Sequence, residues 1–96
     1  MSRDDILHRL RQDKRELTQR YSVKTLQLFG SYVRGQESSA SDVDILVEFD
    51  EPPGMFDFVR LEIALSDLLG MKVDLVMKDA LRPGIGDQIR REAVSV

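Results

Sequence analysis

Two short apolar runs, Val43 to Phe49 and Met71 to Met77, bracket a longer one, Phe56 to Leu69, and their periods differ. In the first short run a period of two puts Asp42, Asp44 and Leu46 on one face and Val43, Ile45, Val47 and Phe49 on the other, as in a strand. In the third run Val73, Leu75 and Met77 share a face opposite Lys72, Asp74 and Val76. The long run is different. Phe58, Val59, Leu61, Ile63, Ala64, Leu65, Leu68 and Leu69 are apolar around most of a helical circumference, which predicts a helix and the most buried one in the chain. Asp50-Glu51-Pro52-Pro53-Gly54 breaks the chain before it, and Gly70 stands where a left-handed cap is expected after it. If the two strands are neighbours joined by that helix, the right-handed crossover makes them parallel.

The flanks add the rest of the architecture. From Asp4 to Arg20 the residues Ile6, Leu7, Leu10 and Leu17, and then Tyr21, form an amphipathic stripe, with Ser2, Asp4 and Asp5 suited to its start. Val23 to Phe29 alternates again and is closed by Gly30. Gly30 to Ser41 reads as a connection with one short helical turn around Tyr32 to Gly35. After Leu81-Arg82-Pro83-Gly84, the residues Ile85, Ile89 and Ala93 give a last short helix. The expectation is a single α+β (α/β) domain over residues 1–96: helix, strand, short helix, strand, helix, strand, helix, around a small three-stranded mixed sheet.

Composition narrows the chemistry. The 96 residues contain no Cys and one His, which removes disulfides, thiolate catalysis and Cys-based zinc sites and makes a Ser-His-Asp arrangement unlikely to be the chemistry in use. His8, among charged neighbours on the first helix, reads as a surface residue. No apolar run approaches the roughly 20 residues of a membrane helix, and the opening Met-Ser-Arg-Asp-Asp is too acidic and polar for a signal peptide. A soluble, cytoplasmic protein is expected. The net charge of −3 conceals an asymmetry: residues 1–36 carry +4 and residues 37–96 carry −7. Direct nucleic-acid binding is disfavoured, since it needs a net basic face.

Three carboxylates stand where carboxylates are costly. Asp44 lies inside one apolar strand and Asp74 inside another, and a lone buried carboxylate costs several kcal/mol unless paired, hydrogen-bonded or bound to a metal. With parallel neighbouring strands, Asp44 and Asp74 point to the same side, and Asp42 joins them. Oxygen-only ligands of this kind suit Mg²⁺, which takes the rest of its shell from water and substrate phosphates. Alone, Asp42-x-Asp44 reads first as a solvated turn or cap, and Asp74 alone fits a salt-bridged structural carboxylate as well as a ligand.

Leu28-Phe29-Gly30-Ser31-Tyr32-Val33-Arg34-Gly35 sets a glycine and a hydroxyl where a strand gives way to a short helix. Gly30 allows a phosphate close to the main chain, Ser31 can donate its hydroxyl and Arg34 a guanidinium fork. An ordinary helix cap is the plain alternative, and no Gly-Lys-Ser/Thr follows to make a Walker motif. Tyr32 has two readings, stacking on a nucleotide or packing on the short helix.

Gly30-Ser31, ten residues, Asp42-x-Asp44, an apolar strand and a single Asp in the next apolar strand resemble the signature of the nucleotidyltransferase fold. The chain is similar over nearly its whole length to its small stand-alone members, the minimal nucleotidyltransferases or MntA-like antitoxins, including the Gly-Ser-x-x-Arg-Gly form and the Arg-Glu-Ala-Val ending. The resemblance implies that Gly30 and Ser31 hold the β- and γ-phosphates of ATP, with Arg34 neutralising triphosphate charge. It implies that Asp42 and Asp44 bind two Mg²⁺ ions and that Asp74 completes the metal site on the nucleophile's side. The implied partner is a HEPN-domain toxin, forming a hetero-oligomer, and the implied reaction moves AMP from ATP to a tyrosine hydroxyl of that toxin. Ninety-six residues leave no second domain to grip an acceptor, so the partner must supply that side of the cleft. Two other functions remain open at this point: neutralisation of the toxin by binding alone, and nucleotidylation of a small molecule. Met55, Phe56 and Phe58 are either core or an apolar contact surface, and the Arg-rich first helix either covers the acidic sheet, meets the partner or is simply solvated.

Overall fold

A computed structural model describes residues Met1–Val96. Helix α1 spans Arg3–Tyr21, strand β1 Val23–Phe29, helix α2 Ser31–Arg34, strand β2 Val43–Phe49, helix α3 Met55–Leu69 and strand β3 Val73–Met77. A 3₁₀ turn at Lys78–Ala80, helix α4 at Ile85–Glu92 and strand β4 at Val94–Ser95 complete the chain. The sheet order is β3-β2-β1-β4, with β2 and β3 parallel and β1 antiparallel to both β2 and β4. The mixed α+β class is as expected, but the sheet has four strands rather than three. The last helix stops at Glu92, and Ala93 turns extended, with φ −63° and ψ 137°, so that Val94 and Ser95 can pair with Leu28 and Gln27. Two residues are too few to show a period of two.

Local chemistry explains the element ends. At the start of α1 the Ser2 hydroxyl accepts the Asp5 N–H at 3.3 Å while the Asp5 carboxylate accepts the Ser2 N–H at 3.0 Å, a reciprocal cap. The Ser2 backbone bond, then the hydroxyl, holds the Asp5 carboxyl below the usual Asp value. Before α3 the Asp57 carboxylate accepts the Gly54 N–H at 3.3 Å.

The core lies on one face of the sheet. Ile6, Leu7, Leu10 and Leu17 of α1 meet Leu61, Leu65 and Leu69 of α3 over Leu26, Leu28, Val43, Ile45, Val47, Val73 and Leu75. Here α3 departs from expectation. It buries only that one face, while Met55 and Phe56 are exposed, as are Val59 and Ile63 further along. A helix in the outer layer has a sheet on one side only, so an apolar circumference does not bury all round. Met55 and Phe56 are therefore surface, and Phe58 alone of that trio packs on the core.

The basic residues of α1 serve as staples. Arg11 donates to the Ser95 carbonyl at 3.0 Å, Lys14 to the Val96 carbonyl at 2.9 Å, and Arg9 to the Leu68 carbonyl at 3.1 Å near the end of α3. Helix α3 protects the sheet edge in turn. Its Ser66 hydroxyl accepts the Val73 N–H and its Glu62 carboxylate the Leu75 N–H, two outward donors of edge strand β3.

Candidate active site

The second face of the sheet carries the polar chemistry. Strand register sets Phe29 of β1 beside Asp44 of β2 and Asp44 beside Asp74 of β3; the next row is Gln27, Leu46 and Val76. Because Leu46 is almost wholly buried on that face, Asp44 stands at the margin of an apolar patch. Burial first, then the charges of Asp74 and Asp42, push the Asp44 carboxyl above the usual Asp value, and the Arg34 charge opposes them.

Gly30 fits this row closely. Its φ of 82° lies in the region that side chains avoid, and a Cβ there would stand 2.9 Å from the Asp44 Cγ and nearer still to Oδ2. The glycine thus leaves the space that the Asp44 carboxylate occupies. From Gly30 the chain enters α2 at once, the Gly30 carbonyl accepting the N–H groups of Val33 and Arg34 at 3.1 and 3.2 Å. Ser31 opens that helix half-buried.

Asp42 lies two residues before Asp44, just ahead of β2, and its carboxylate is 3.7 Å from the ammonium of Lys72, an exposed residue that precedes β3. The expected convergence of three carboxylates is partial. Asp44 and Asp74 are register neighbours, but no group of three such side chains closes around one point. Like charges in a shared place repel, and Lys72 takes up Asp42. The donor set is oxygen only and hard, which suits Mg²⁺ carrying its own waters and phosphates better than an all-protein cage.

Arg34 ends α2 with two partners, Glu92 of α4 at 3.0 Å and Gln36 at 3.1 Å. Tyr32 is buried in the core, so packing rather than stacking is its role. His8 is exposed. Lys72 and Glu92 are the neighbours that motif spacing does not single out; each acquires its place only through contacts distant in the chain, 30 residues to Asp42 and 58 to Arg34. Asp74 is exposed, and Asp42 and Asp44 are half-buried. A groove of about 510 Å³ lies elsewhere, between α1 and α3, bordered by Arg20, Tyr21, Asp57, Arg60, Ile63 and Asp67.

Comparison with known proteins identifies this arrangement. Residues 10–96 match the nucleotidyltransferase domain. The chain belongs to the nucleotidyltransferase family. The protein adenylyltransferase MntA of Thermococcus cleftensis is 51% identical over 83 residues, 86% of this chain and 84% of that one. A solved structure described as a minimal nucleotidyltransferase is 35% identical, covers 100% of this chain and 97% of its own, and superposes with a TM-score of 0.83. Two further structures share the fold at lower identity. One is a toxin–antitoxin pair with AMP-PNP, 23% identical, 88% of this chain and 69% of that one, TM-score 0.71. The other is a tri-AMPylated Shewanella oneidensis HEPN toxin in complex with its MNT antitoxin, 21% identical, 88% and 66% covered, TM-score 0.63. This nucleotidyltransferase thus has the minimal form of the fold, and its helices include none long and apolar enough to cross a membrane.

Proposed function

We propose that this nucleotidyltransferase transfers AMP from ATP to a tyrosine hydroxyl of a HEPN-domain toxin, forms a hetero-oligomer with it and thereby acts as its antitoxin in the cytoplasm. The observation that carries the reading is the row Phe29–Asp44–Asp74 with Gly30 packed against the Asp44 carboxylate, in a chain half-identical to a protein adenylyltransferase. Gly30 and Ser31, at the entry to α2, hold the β- and γ-phosphates, and Arg34 offsets triphosphate charge. Asp42, Asp44 and Asp74 are the residues that would hold Mg²⁺. When bound, the ions offset charge on the attacking and leaving oxygens. In the transfer, the tyrosine oxygen bonds to the α-phosphorus, the bond from that phosphorus to the β-bridging oxygen breaks, and pyrophosphate leaves. Asp74, the outermost of the three, takes the hydroxyl proton. The exposure of Asp74 fits an acceptor supplied by a folded protein, and the excess negative charge of residues 37–96 favours a protein over nucleic acid.

Incubation with labelled ATP, Mg²⁺ and the product of the adjacent gene tests the proposal. Label on that partner, lost with Asp42→Asn plus Asp44→Asn, supports it; no label, or labelling undiminished by the double substitution, overturns it. A second reading, neutralisation by binding alone, draws on the exposed Met55, Phe56, Val59 and Ile63 of α3, an apolar surface ready for a partner. Under that reading the aspartate double variant still neutralises the toxin.

A further inference from the structure

We propose that Glu92 is a positioning residue for nucleotide binding: from the end of α4 it fixes the Arg34 guanidinium at the end of the Gly30–Arg34 turn, leaving Nη2 free for phosphate. The inference rests on the reading of the site as one that binds ATP.

Arg34 has little support from its own segment. It is the last residue of a four-residue helix, and Gly35 behind it turns left-handed with φ 70° into the connection to β2. An arginine so placed loses rotamer freedom when a ligand orders it, which weakens binding. Here the ordering is already done. The Glu92 Oε2 accepts Nη1 at 3.0 Å, and the Gln36 Oε1 accepts Nε at 3.1 Å. Nη2 keeps both of its hydrogens for a ligand.

Glu92 itself stands on a firm base. One turn earlier Gln88 donates to its other oxygen at 3.4 Å, and the Ala93 N–H closes α4 onto the Ile89 carbonyl at 2.9 Å. Two residues on, Val94 pairs with Leu28 of β1, the strand that delivers Gly30 and Ser31. The support for Arg34 and the phosphate turn therefore share one strand pair. Arg34 is tied to the phosphate turn by its backbone as well, its N–H donating to the Gly30 carbonyl at 3.2 Å. The Glu92 side chain is the more enclosed of the two, 23% exposed against 42% for Arg34, so the carboxylate serves as the anchor and the guanidinium as the arm.

The test is calorimetric binding of AMP-PNP with Mg²⁺ to the full chain and to Arg34→Ala, Glu92→Ala, Glu92→Gln and the double Arg34→Ala plus Glu92→Ala, with thermal melting of each. Arg34→Ala weakens binding by about tenfold or more, the scale of a charge-assisted bond to phosphate. Glu92→Ala weakens it about threefold to fivefold, as expected for a partly exposed ion pair. Glu92→Gln, which keeps an acceptor for Nη1, stays within about twofold of the parent. In the Arg34→Ala background, Glu92→Ala adds less than about twofold, because there is no arm left to position. A merely structural Glu92 lowers affinity equally in both backgrounds, and that result overturns the proposal, as does unchanged binding in Glu92→Ala or in Arg34→Ala. Absence of nucleotide binding by the parent chain overturns instead the reading of the site on which the inference rests. Should Glu92→Ala melt below the assay temperature, Glu92→Gln paired with Gln36→Ala carries the same comparison.

Discussion

The two faces of the sheet obey different rules. The face beneath α1 and α3 joins 17 buried residues into one cluster, and no polar or charged residue is buried in it. The opposite face also buries apolar groups, Phe29 and Leu46, but sets Asp44 in the same rows and leaves the Gln27 Oε1 enclosed without a hydrogen-bond partner. Burial on the first face stabilises the fold at about 25 cal/mol per Å² of apolar surface. On the second, burial and the neighbouring charges of Asp74 and Asp42 make ionisation of Asp44 costly, and the Arg34 charge offsets part of that cost.

Substitutions that treat the faces differently sharpen the contrast. Leu65→Ala, in the first face and wholly buried, costs about 2–5 kcal/mol of stability, read as a lower urea midpoint, and a loss under about 1 kcal/mol would show that the core lies elsewhere. Asp44→Asn acts in the opposite sense on two measurements: adenylyl transfer falls about a hundredfold or more, while the melting temperature rises by about 2–4 °C. A variant that loses both activity and stability would place Asp44 in the structural class instead. Gly30→Ala is intermediate. It strains a backbone with φ of 82° by about 1–2 kcal/mol and displaces the Asp44 carboxylate, so transfer falls about tenfold to a hundredfold with the protein still folded.

The smallest effect is on pH dependence. The folded-state value for Asp44 is raised above the ordinary 3.8, so in the window between the two values the folded chain binds the proton better than the unfolded chain. Its contribution to stability is therefore lost as pH rises through the folded value and returns as pH falls. Solvent reaches the group, so the effect is modest. Melting curves of the parent and Asp44→Asn, recorded without Mg²⁺, differ most near neutral pH and converge toward acid; a gap that widens toward acid would reverse the sign of this argument.

Much of the second face is legible in the chain itself. Alternation places Asp42, Asp44 and Leu46 together and opposite Val43, Ile45 and Val47, and the row in the fold agrees. Helix α1 likewise buries the stripe that its spacing indicates. Less legible was α3, whose Val59 and Ile63 continue an apolar pattern into solvent because hydropathy does not say how many sides of a helix are covered. Strand β4 was hidden by its length. Arg34 carried a readable charge, but its carboxylate partner lies 58 residues away, and Arg-Arg-Glu at the end of a helix looks like any solvated terminus.

By itself the sequence determined the four helices and the first three strands, the side of each of those strands on which a residue stands, and the presence of carboxylates where apolar residues belong, because these follow from periods of 2 and 3.6 residues within a few turns of chain. Tertiary structure alone decided that Phe29, Asp44 and Asp74 share one row, that Gly30 makes room for Asp44, that Asp42 faces Lys72 and that Arg34 is held by Glu92. Those facts depend on strand register and on the packing of segments far apart in the chain, and no local repeat encodes either.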